Sequence, residues 1–171
     1  MEFFPKLNDR AECDAAFGRA APAVADVAAQ PDFKNAQPVT REGLAAEDVG
    51  VAVDALETDR PGIDELSPAT RQELEAMGIK LLTTTHLLAG IDRALRIQFG
   101  GLYPAEIIGS TLRLFGQGVK VGVEIIVMAL DAGLIPYGEE IIGIAGTGSG
   151  ADAAVVVRPT HSNKFFQTEI R

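Results

Sequence analysis

The chain has 171 residues, 47% of them hydrophobic, with a formal net charge of −9. That length holds one domain with a proper core and is too short for two comfortable ones, so 1–171 is read as a single domain. With no basic stripe, nucleic acid is excluded as an expected partner, and the single cysteine, Cys13, excludes an internal disulfide and a cysteine-rich metal site.

The charge is unevenly placed. Residues 1–70 carry 14 acids and 6 bases, whereas 71–171 carry 10 acids and 9 bases, so the acidity belongs to the front segment. His86 and His161 lack HExxH spacing, and no metal site is expected. The start, MEFFPKLNDR, contains no long apolar run. The most hydrophobic window, 119–136, is interrupted by Lys120, Glu124 and Asp131 and reads as a buried core helix rather than a membrane span. A cytoplasmic protein without a membrane partner is expected.

In chain order, residues 1–40 give few signals: an alanine-rich stretch suits a helix broken at Pro22, and PDFKNAQPV, with prolines near both ends, reads as a loop. EGLAAEDVGVAVDAL has helical composition, although VGVAV suits a short strand equally well. Ser67 can cap a helix with Pro68 at its first position, and Gly78 stops it. IKLLTTT then reads as a strand, 79–85. Helix, glycine stop and strand form an αβ unit, which favours a parallel sheet.

Thr85 and His86 fall where that strand ends, the place where ligands collect in open α/β sheets. The plain alternative is a histidine that hydrogen-bonds the following turn. Residues 89–96 read as a short helix, with Arg93 and Arg96 as possible phosphate clamps. Pro104 opens another helix, with Ile107, Ile108, Leu112 and Phe115 on one side. A further helix carries Val119, Val123, Ile126, Val127 and Leu130, and Gly116-Gln117-Gly118 is either a kink or a break before it. Lys120 and Glu124 are four apart and Asp131 is seven beyond Glu124, so one helix face carries all three; Lys120 and Glu124 read as a solvated ion pair, with a catalytic Glu124 as the sharper alternative.

EEIIGIAGTGSGADAAVVVRP then gives a strand, 141–145, a glycine-rich turn, Gly146 to Gly150, and a second strand, 153–157. Its glycines let backbone N–H groups approach an anion or nucleotide, and the turn is a candidate wall of a ligand site; a ligand-free connection is the plain alternative. GTGSG lacks a following Lys-Ser or Lys-Thr and opens a strand, so it is neither a P-loop nor a Rossmann fingerprint.

Three blocks, ELSPATRQELEAMGIKLLTTTHLLAGIDRAL, FGGLYPAEIIGSTLRLFGQGVKVGVEIIVMALDAGLIP and EEIIGIAGTGSGADAAVVVRPTHSNKFF, resemble stand-alone proteins related to the C-terminal α/β domain of pyruvate kinase. The resemblance covers 61–171 and leaves 1–60 divergent. It implies a three-layer α/β/α sandwich with a mostly parallel sheet, and a phosphorylated ligand such as flavin mononucleotide (FMN). By position, the family's THxLSG stretch looks like Thr85, His86, Leu88 and Gly90, with Ala89 for the serine. GTGxGAD matches Gly146, Thr147, Gly148, Gly150, Ala151 and Asp152, with Ser149 between, and SNxFF matches Ser162, Asn163, Phe165 and Phe166. The family's Ser/Thr/Gly-rich phosphate turn has no counterpart between Met1 and Arg60. Three functions follow as expectations. The first is a ligand-binding protein using Thr85, His86, the 146–150 turn, Asp152 and Asn163. The second is a small enzyme with His86 as acid or base, oriented by Glu124 or Asp152. The third is a structural or homo-oligomer-forming relative without ligand.

Overall fold

The computed structural model describes residues 38–40, 51–55, 62–64, 66–147 and 150–171. Four helices and six strands are seen among them. Strands β1 (Pro38–Thr40) and β2 (Val51–Ala55) precede helix α1 (Pro68–Ala76) and strand β3 (Lys80–Thr84). A 3-10 turn, Leu87–Ala89, leads into α2 (Ile91–Phe99), α3 (Pro104–Leu112), a second 3-10 turn at Arg113–Phe115, and the long α4 (Gln117–Asp131). The hairpin β4 (Ile141–Thr147) and β5 (Gly150–Arg158) follows, then a 3-10 segment, Ser162–Gln167, and β6 (Glu169–Ile170).

The local signals near α1 act as the sequence indicates. The Ser67 side chain accepts the Thr70 N–H at 3.1 Å, Pro68 occupies the first turn, and Gly78 leaves the helix with φ 78°. Val51, Ala52 and Val53 of VGVAV fall in a strand, since β2 pairs in parallel with β3, Val51 opposite Lys80 through Ala55 opposite Thr84. Period-two alternation explains how both faces of this pair are covered. Ala52 packs with Leu66 and Leu74 on the α1 side, while Val51 and Val53 join Val121, Ile125 and Met128 of α4.

The expectation of a mostly parallel sheet meets a different arrangement beyond β3. The larger sheet, ordered β1-β4-β5-β6, is antiparallel at every pairing. The short glycine-rich link explains β4 and β5, because parallel neighbours need a crossover of a dozen or more residues. The loop read from PDFKNAQPV is also corrected: Pro38 and Val39 belong to β1, paired with Gly143 and Ile142 of β4.

α4 lies between the parallel pair and the antiparallel sheet, which is why nearly all of it is buried. Gly116, with φ 121°, makes a true break before it rather than a kink. The helix approaches the hairpin closely through small residues: a Cβ on Gly118 would fall 2.5 Å from the Ala145 carbonyl oxygen, and one on Gly122 would fall 2.7 Å from Val155 Cγ2. Among the described residues no helix is long and apolar enough to cross a membrane.

Two helical readings change. The helix placed at 89–96 is α2, beginning at Ile91 after the 3-10 turn. The apolar side assigned to α3 is only partly core: Ile108 and Leu112 are half-buried, whereas Ile107 and Phe115 are exposed.

Candidate functional site

β3 delivers Thr84, Thr85 and His86 to one wall of an open cleft of about 540 Å³. Gly90, Ile91 and Asp92 from the start of α2, Ala105 from the start of α3, and Met128, Asp131 and Ala132 from the end of α4 complete much of the rest. Asp92 ties two of these walls together, since its Oδ2 accepts the Ala105 N–H at 2.7 Å. An acceptor at the start of α3 satisfies one of the N–H groups that a helix leaves without an internal partner.

His86 caps the 3-10 turn with extended backbone, φ −62° and ψ 132°, and its ring turns toward α4. Nδ1 lies 3.1 Å from Glu124 Oε2. The other carboxylate oxygen, Oε1, accepts the Leu88 N–H at 2.7 Å, so Glu124 fixes both the ring and the backbone just after it. Lys120 Nζ also donates to Oε2.

The solvated ion pair expected from the Lys120/Glu124 spacing is therefore a buried one: Lys120 is 4% exposed and Glu124 0%. Desolvation pushes the Glu124 carboxyl up, but the His86 hydrogen bond, the Lys120 charge and the remaining His86 and Lys120 contacts outweigh it. The group is held below its ordinary value. An ionised carboxylate only accepts, so His86 donates through Nδ1.

A second pair of the same kind closes the far end of α4. Asp131 Oδ1 accepts from His161 Nδ1 at 2.9 Å and from the Ser162 N–H at 3.2 Å. Tyr137 stacks on His161, with ring centroids 5.8 Å apart. Burial raises the Asp131 carboxyl, but the bonds from Ser162 and His161 hold it below its ordinary value.

The structure brings Thr85, His86 and Glu124 together at the cleft, whereas Gly146, Asp152 and Asn163 are not among the residues that line it. Gly146 pairs with Ala151, and Thr147 with Gly150, at the hairpin end that meets the first turn of α4. Glu124, which holds His86, lies six residues farther along that helix than Gly118, about 9 Å at 1.5 Å per residue. Gly148 and Ser149, at the tip of the turn, lie outside the described residues. Asp152 is exposed, its Oδ1 so close to Gly118 that a Cβ there would come within 2.0 Å. That places it at the start of α4, where a carboxylate suits the helix dipole. Asn163 is exposed on the 3-10 segment, and Arg96, a possible phosphate clamp, is paired with Glu106.

The sequence reading missed Asp92 as a cleft residue and gave Asp131 no site role. Asp131 had a readable signal, since seven residues after Glu124 places it on the same helical face. Among the described residues no cluster of three or more His, Cys, Asp or Glu side chains could hold a metal ion. No protein-family model matches the chain.

Proposed function

We propose that the protein binds a small polar molecule in the cleft at the carboxyl end of β3, with His86 as its acid–base group. The observation that carries this reading is the 3.1 Å contact between His86 Nδ1 and the fully buried Glu124 carboxylate. A histidine with its tautomer fixed by a charged partner, on the wall of a cleft, has the arrangement a general base needs. The cleft volume suits a small molecule. Glu124 touches the ring rather than the cleft, so it acts as the orienting group.

The test follows the His86 ring by NMR while small carbonyl, amine and phosphate compounds are added. Compounds that bind are expected to move the His86 resonances and to lose at least about tenfold in affinity, about 1.4 kcal/mol, in His86→Ala. Binding that leaves His86 unmoved and survives the substitution overturns the reading.

A phosphorylated nucleotide such as FMN, as the resemblance to the pyruvate kinase C-terminal domain implies, is a second reading. It is favoured by the starts of α2 and α3 on the cleft wall, because helix N-termini offer N–H groups and the positive end of the dipole to an anion. The covering of the β2–β3 pair by α1 and α4 supports the layered architecture of that family. The carboxylates of Asp92 and Asp131 on the same cleft weigh against a phosphate. Titration of the protein into FMN, read by flavin fluorescence, is expected to show saturable quenching on this second reading, and none otherwise.

A further inference from the structure

The geometry points to Lys120 as the residue that sets the charge of His86. By neutralising Glu124 inside the core, it leaves His86 an uncharged imidazole able to accept a proton. Lys120 acts through Glu124 and is a positioning residue; the inference rests on the reading of His86 as the acid–base group.

The argument starts from one oxygen. Lys120 Nζ and His86 Nδ1 both meet Glu124 Oε2, while Oε1 is taken by the Leu88 N–H. Glu124 is fully buried and Lys120 nearly so, whereas the His86 side chain is 27% exposed. A buried carboxylate needs a compensating positive charge. Lysine is intrinsically far more basic than histidine, so Lys120 supplies that charge. Protonating His86 as well would set two cations against one oxygen, and like charges disfavour that state.

Without the ammonium, the counter-charge left in contact with Oε2 among the described residues would be the imidazolium of His86. The other ionisable groups on the cleft are already engaged: Asp92 with the Ala105 N–H, and Asp131 with His161 and the Ser162 N–H. A surface i,i+4 pair would have no such effect, because water would screen it.

The experiment is a pH titration of the His86 ring by NMR in the ligand-free protein, so that its outcome is separate from whether any compound binds. Lys120→Met is expected to raise the His86 midpoint by about one pH unit or more relative to the unmodified protein. Lys120→Arg is expected to restore it, and His161, on the separate Asp131 pair, is expected to keep its midpoint in all variants. A purely structural Lys120 predicts an unchanged His86 midpoint in Lys120→Met, which would overturn the inference, as would a lowered one. Should Lys120→Met fail to fold, Lys120→Gln, which keeps a donor to Oε2 without the charge, takes its place: a raised His86 midpoint supports the inference, and an unchanged or lowered one overturns it.

Discussion

Glu124 and Asp131 stand seven residues apart on α4, and each accepts a hydrogen bond from the Nδ1 of a histidine, His86 in one case and His161 in the other. Seven residues is close to two helical turns, so both carboxylates lie on one face. The helix thereby holds the exit of β3 with its buried acid and the start of the C-terminal 3-10 segment with its half-exposed one.

Removing one member of the buried pair should be costly. Glu124→Leu strands the Lys120 ammonium in the core and is expected to cost about 3–5 kcal/mol in urea denaturation. Replacing both groups, Lys120→Met with Glu124→Leu, should recover much of that loss, because an apolar pair carries no stranded charge. A double variant as unstable as the single one would show that the charges, once paired, stabilise the fold in their own right.

Both acids should leave a signature in acid. Their folded carboxyls sit below the ordinary values of 4.5 for Glu124 and 3.8 for Asp131. A depressed carboxylate contributes stability that is present above its unfolded pKa and lost as the pH falls through its folded one. Unfolding measured from pH 6 downward should therefore show stability falling from about 4.5. In Asp131→Asn the part of that fall beginning near 3.8 should be missing.

Two helical glycines should respond in opposite directions to an added methyl. A Cβ on Gly109 finds nothing nearer than 3.7 Å, so Gly109→Ala is expected to stabilise α3 by about 0.5–1 kcal/mol through lower chain entropy. A Cβ on Gly118 would meet the Ala145 backbone oxygen at 2.5 Å, which no rotamer can relieve, and Gly118→Ala should cost about 1–3 kcal/mol. Thermal melts of the two variants check the difference in sign.

The helix cap gives a smaller effect. Ser67→Ala removes the acceptor for the Thr70 N–H and is expected to cost about 1 kcal/mol, whereas Ser67→Asp should retain most of it. Denaturation midpoints of the three proteins would show whether the side-chain oxygen is what matters.

Elements with their own punctuation could be read from the chain alone. Ser67, Pro68 and Gly78 bracket α1, Pro104 opens α3, and the β-branched runs around the 146–150 turn mark two strands. Pairing was harder, because it depends on which strand lies beside which. The αβ unit pointed to a parallel sheet, and β2–β3 is a parallel pair, but extending that pattern to β4 and β5 overlooked the shortness of their link.

The site divides in the same way. The place of Thr85 and His86 at the end of β3, on the cleft wall, was legible because a strand end is a local feature. The depth of Lys120 and Glu124 was hidden, since an i,i+4 pair has the same spacing on a surface as in a core. QGVKVGVEIIVMALD did hold a clue: it is apolar on nearly every side of the helix, the pattern of a buried one.

The close seating of α4 on the hairpin joins two positions in different elements. A Cβ on Gly143 would meet Ile126 Cδ1 at 2.6 Å, Ile126 Cγ1 at 3.1 Å and the Gly122 carbonyl oxygen at 3.0 Å. Strand and helix thus share one slot of volume, and a methyl added to β4 has to be taken away from α4. Gly143→Ala should be poorly tolerated alone and better tolerated beside Ile126→Val, which deletes the atom in the way; in this protein the two positions trade size rather than vary independently.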